Sequence, residues 1–189
     1  DYYLAPLAFW WLVASTALAA GSRLVGAPVP VWLPSLGVVA NMMLVLPLFI
    51  LGLNFFGTLS GKFGAVGASL TLRFITLSIL GFFAAAILGL LFALKPFAEV
   101  VQFTLVERLR DTLTFYACFS TAMFGAAYFF LPRLTGKAWR SSALTAIHFG
   151  ASALGIVALF IGLAGAGCKQ GHLLADAAVP FASITDGLA

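Results

Sequence analysis

The chain has 189 residues, of which 62% are hydrophobic and 8% charged, and its mean hydropathy is +1.10. A soluble domain needs charge at about a quarter of its positions, so the composition excludes a water-solvated globule and requires lipid as solvent. Ten Lys and Arg stand against six Asp and Glu, a formal charge of +4; no basic cluster tracks a phosphate backbone, which excludes nucleic acid as a partner.

Crossing the hydrocarbon takes roughly 20 apolar residues in helix, because each backbone polar group must be satisfied inside the segment. Five stretches qualify. The first, 2–25, is entered through Tyr2, Tyr3, Trp10 and Trp11, which suit a membrane interface, and closes at Gly26, Pro28 and Pro30. The second, 36–56, ends in a glycine-rich turn of Gly57, Gly61, Gly64 and Gly67. The third, 74–94, is stopped by Lys95 and Pro96, and the fourth, 113–131, by Pro132, since proline lacks a backbone donor. The fifth, 143–166, closes at Gly165, Gly167, Lys169 and Gln170. The reading is an all-α integral membrane protein, with a five-helix transmembrane domain over 1–170 and an interfacial tail over 171–189. Asp1 stands at the threshold of a helix without a signal peptide's basic start and cleavage site, so a processed product or part of a longer chain is expected.

Lys62, Arg73, Arg133, Lys137 and Arg140 fall on one side of the membrane in this topology, and Arg23, Lys95, Arg108, Arg110 and Lys169 on the other. The cations tie, but Glu99, Glu107, Asp111, Asp176 and Asp186 all join the second set. The orientation favoured places the 133–140 turn in the cytoplasm.

Ionisable groups inside a membrane are costly and mark ion paths, proton relays or cofactor sites. The spans carry no mid-span acid, so a carboxylate relay has no residues to run on. Asn41 and Asn54 read as interhelical hydrogen-bond partners. Cys118 and Cys168 lack CxxC spacing and read as buried structural thiols. His148 opens the fifth span and His172 follows its end; about 24 helical residues cover some 36 Å, so the two cannot ligate one iron. Each reads as a hydrogen-bonded structural residue, the alternative being one of them sharing a haem with another chain's ligand. Glu107, Arg108, Arg110 and Asp111 form the densest charge cluster, with i,i+3 pairs Glu107–Arg110 and Arg108–Asp111. They read as a solvated or headgroup-level helix start, or as an ion-pair plug. Gly150, Gly155, Gly162, Gly165 and Gly167 favour close helix contact.

Several stretches occur together in a telling order: Gly26-Ala27-Pro28-Val29-Pro30-Val31-Trp32-Leu33, Leu72-Arg73-Phe74, Met123-Phe124-Gly125-Ala126-Ala127-Tyr128-Phe129 with Leu131-Pro132-Arg133-Leu134, and Leu144, His148-Phe149 and Gly155-Ile156. Gln170-Gly171, Asp176-Ala177-Ala178 and Pro180-Phe181 complete the set. Collinear over nearly the whole chain, it resembles the second half of subunit I of the cbb3-type cytochrome c oxidases, in the haem-copper oxidase superfamily. The resemblance implies helices seven to eleven of that twelve-helix subunit and a multi-pass place in the bacterial inner (cytoplasmic) membrane.

The departures from that pattern bear on function. Where the family has a copper-binding His-His pair before the Gly-x-Pro-x-Pro turn, this chain has Ser22 and Arg23, and Thr16 stands for the tyrosine of the same helix. The family's haem-ligand histidines fall on Arg110 and Thr112. Copper and haem iron need imidazole lone pairs, and a guanidinium has none to give. The expectation is a chain that binds no cofactor or metal itself and has no catalytic residue. It would scaffold a respiratory electron-transfer complex in which partner subunits, c-type cytochromes among them, carry haem and copper. The alternatives are part of an active terminal oxidase or nitric oxide reductase, or a small transporter or lipid-binding membrane protein.

Overall fold

The computed structural model describes residues 3–24, 28–101 and 104–175. Among them the chain forms helices only: α1 (Leu4–Ala19) with a 3-10 turn (Ala20–Leu24), α2 (Trp32–Met43), α3 (Val45–Leu59), α4 (Phe63–Ala68), α5 (Leu70–Ala93), α6 (Lys95–Val101), α7 (Leu105–Thr112), a π-helical stretch (Leu113–Ser120), α8 (Thr121–Thr135) and α9 (Ser142–Ala175). Among the described residues, five segments are long and apolar enough to cross a membrane: Ala5–Ser22, Trp32–Leu59, Leu70–Ala93, Leu105–Thr135 and Ser142–Leu174. The five expected spans are all present, and the last four run longer than expected.

The reasons are local. The second span is two helices, because Pro47 cannot donate to Met43 O and the Leu44 N–H turns back to Asn41 O at 3.2 Å. Helix resumes when the Leu48 N–H reaches Leu44 O at 3.1 Å. Of the expected turn glycines, Gly57 is still helical and Gly64 and Gly67 lie in α4; only Gly61, at φ 73°, makes the turn. The third span begins at Leu70 rather than at 74, and the Arg73 guanidinium donates to Gly67 O.

The fourth span starts eight residues earlier than expected and absorbs the charge cluster. Thr104 caps α7 through Oγ1, which accepts the Val106 N–H at 3.3 Å. The helix widens at its middle, where Ser120 Oγ donates to Phe115 O, five residues back, at 2.8 Å. Pro132 does not end α8, because one missing donor so near the end costs little when side chains serve the neighbouring carbonyls. Arg133 donates to Phe129 O and Thr135 to Leu131 O. The stop is Gly136, at φ 65°.

Gly165 and Gly167 do not end the fifth span, since leaving the helix within lipid would strand backbone groups. α9 runs to Ala175, five residues past the expected 170 boundary. Residues 176–189 of the tail lie outside the described residues.

The chain divides into two compact units: Asp1–Gly61 with Ala86–Ala98, and Lys62–Ala85 with Glu99–Ala189. In the first, α1 packs on α2 and α3 around small or polar buried residues, Ala8, Ala19, Ala40, Asn41 and Pro47 among them. In the second, Phe74, Leu109, Leu113 and Ala117 are buried. A methyl group at Gly81 would stand 2.6 Å from Ala117 Cβ, so α5 meets the π-helical stretch at backbone range.

The α9 glycines divide. A side chain at Gly167 would overlap Val106 and one at Gly171 would overlap Val100, so the last turns of α9 pack closely on α7 and the segment before it. Gly150, Gly155, Gly162 and Gly165 have open space around them among the described residues.

Candidate functional site

The first locus is the 3-10 turn that ends the first span and carries Ser22 and Arg23, the two residues that the resemblance sets against the family's copper-ligand pair. α2 crosses this turn at backbone contact: a methyl group at Gly37 would overlap Ser22 N and lie 2.5 Å from Gly21 C, and one at Gly21 would lie 3.0 Å from Leu33 O. Only glycines permit that approach. Ser22 Oγ donates to Ala19 O at 2.7 Å and accepts from Asn41 Nδ2 at 2.9 Å. Asn41, fully buried, shares the same amide hydrogens with Gly37 O at 3.0 Å and Ala19 O at 3.3 Å. It is an interhelical hydrogen-bond partner, as expected. Asn41 Oδ1 is buried without a partner among the described residues. Asn54 departs from the same expectation, making no interhelical hydrogen bond among the described residues. The Arg23 side chain lies outside the described residues.

These residues do not fit a copper ion. The Ser22 hydroxyl is a neutral oxygen whose donor and one acceptor role are already used, and Gly37 and Gly21 fill the space beside it with backbone. Thr16 Oγ1 turns back on its own helix, to Leu12 O at 2.7 Å and Val13 O at 3.0 Å.

The second locus is α7. Val106 and Leu109, with Leu113 just beyond, bury one side of it, and Gln170 Oε1 of α9 accepts the Leu105 N–H at 3.0 Å. Glu107, Arg110, Asp111 and Thr112 are half-buried and Arg108 is exposed. Four of the five polar side chains of this stretch are thus partly covered. Arg110 has no lone pair to give haem iron, and the Thr112 hydroxyl is a poor donor to iron beside an imidazole.

Both histidines belong to α9, a correction to the expectation that His172 lies beyond the helix; it is in the last turn. His148 Nδ1 is 2.9 Å from Tyr128 OH, the structural hydrogen bond expected of it. Around the pair, Phe74 is fully buried and stacks on Tyr128 at 5.4 Å, Phe124 meets His148 at 4.7 Å, and Trp139 meets Tyr128 at 4.9 Å. This aromatic cluster was not anticipated as a unit. Phe124 and Tyr128, four apart, share a helix face, but nothing in sequence shows that α5 brings Phe74 between them and α9. Among the described residues no three His, Cys, Asp or Glu gather as a metal site. Cys118 is half-buried and Cys168 exposed, both free, so the second is not the buried thiol expected.

The family model described as cytochrome c and quinol oxidase polypeptide I matches residues 1–187. The chain belongs to that family. Oxidase polypeptide I chains are transmembrane helical bundles of respiratory oxidase complexes, which agrees with the five apolar spans. No curated protein matches the chain.

Proposed function

We propose that this chain is a non-catalytic, cbb3-type-like polypeptide I of the bacterial inner membrane that packs as a helical scaffold within a respiratory electron-transfer complex. The observation that supports the reading is the knot at Ser22, a buried amide and two glycines packed at the turn that the reading sets against the family's copper-ligand pair. In the same reading, Arg110 with Glu107 and Asp111 plugs the side of the helices that would otherwise face haem. The chain itself contributes no electron-carrying centre. Its work is helix contact, and subunits bearing haem, c-type cytochromes among them, are its partners. The open glycines of α9 offer a face of the kind such packing uses.

The test is affinity purification of the intact complex through a tag on this chain, followed by haem staining of the separated subunits and a reduced-minus-oxidised spectrum. Haem-bearing subunits are expected to co-purify while the tagged band carries no stain. A chain that purifies alone, with no redox partner, would sink the scaffold reading.

A further inference from the structure

α5 begins, α8 ends and α9 begins at one end of the second unit, as the Phe74–Tyr128 and Tyr128–His148 contacts require. That end collects Arg73, Arg133, Lys137 and Arg140, with Lys62 just before α4. No Asp or Glu occurs from residue 2 to 98 or from 112 to 175, and none of the five cations is in an ion pair among the described residues. The nearest acid along the α7–α8 helix is Asp111, 22 residues before Arg133, or roughly 33 Å of helix. Lys62, Arg133, Lys137 and Arg140 are exposed.

Two further features place this end at headgroup depth. Trp139, 45% exposed, packs at a tilt against Tyr128, the position of an interfacial aromatic. α4 is a single apolar turn and a half with no buried residue, and Phe63 is 57% exposed, so its natural cover is acyl chain. The Arg133 guanidinium lies 3.4 Å over the Phe129 ring and donates to Phe129 O, which holds it at the helix end rather than loose in water.

We propose that this end of the second unit is a binding surface for anionic phospholipid headgroups. Arg133, Lys137 and Arg140 supply the charge for the phosphate. Trp139 and Phe63 enter the acyl boundary beside it. Cations near a charged membrane surface each strengthen such binding severalfold, and an uncompensated set of this kind is drawn to the leaflet richer in anionic lipid. The inference is independent of whether the chain binds haem.

The test is native mass spectrometry of the full chain, purified in detergent and titrated with phosphatidylglycerol or phosphatidylcholine of identical acyl chains. Wild type is expected to retain the anionic lipid at least about tenfold better. The R133Q/K137Q/R140Q variant is expected to lose most of that preference, and an E107Q/D111N variant to keep it; thermal melting of both confirms that they fold. Equal retention of the two lipids by wild type would overturn the proposal. So would an undiminished preference in the triple variant, or displacement of the bound lipid by inorganic phosphate at millimolar concentration. Protection of Lys137 from an amine-reactive reagent by an acidic partner subunit, with no change on adding lipid, would assign the surface to protein instead.

Discussion

In the first unit, α1 and α2 meet through glycine backbone and a buried amide, whereas in the second α5, α8 and α9 meet through rings gathered around Phe74. Lipid offers no hydrophobic drive for helix association, so each contact must draw on close packing or hydrogen bonds. The glycine crossing leaves no slack, because backbone opposes backbone at Gly37, Gly21 and Ser22. The ring cluster is broader and rests on area, so it has side-chain freedom with which to adjust. The first contact should be intolerant of size and the second of polarity.

The sharpest way to break this contrast is Gly37→Leu. With nothing flexible to yield, the expected loss is about 3 kcal/mol, the upper end for overpacking, read as a fall in the unfolding midpoint in detergent. Gly150→Leu, facing open space, serves as its neutral control. Comparable melting of the two variants would show that the crossing is not the tight point of the first unit.

Phe74→Leu should cost less, about 1 to 1.5 kcal/mol, because neighbouring rings can close on a smaller apolar side chain. A loss as large as that of the Gly37 variant would erase the distinction between the two regions. Asn41→Ala is expected to cost about 1 kcal/mol, within the range for interhelical hydrogen bonds in membranes. Hydrogen exchange should quicken around Ser22, and an unchanged rate there would remove the knot from the account. Tyr128→Phe, which deletes the hydroxyl facing His148 and keeps the ring, should cost only about 0.6 kcal/mol. A greater loss would mean that the polar pair, and not the stack, holds the second unit.

The five spans were legible because apolar length is a strong signal in a chain so poor in charge. Their ends were not. Pro132, Gly165 and Gly167 read as stops by rules learned in water, but lipid penalises an unpaired backbone group more than it penalises proline or glycine within a helix. The split at Leu44 was missed although Pro47 stood in the sequence to announce it. Asn41 was legible, since a buried amide in an apolar helix must find partners. Gly37 was not, because a glycine earns its meaning only from the backbone opposite. The aromatic cluster needed three helices to be brought together before it existed.

That Ser22 and Arg110 offer no imidazole lone pair was readable from residue type alone, whereas the closing of the space at Ser22 required coordinates. The measurement that bears most directly on the proposed role is a copper and haem analysis of this chain after separation from its partners under conditions that preserve helix content. The account predicts well under one equivalent of either per chain. One equivalent of copper, or a haem spectrum that stays with the isolated polypeptide, would contradict it.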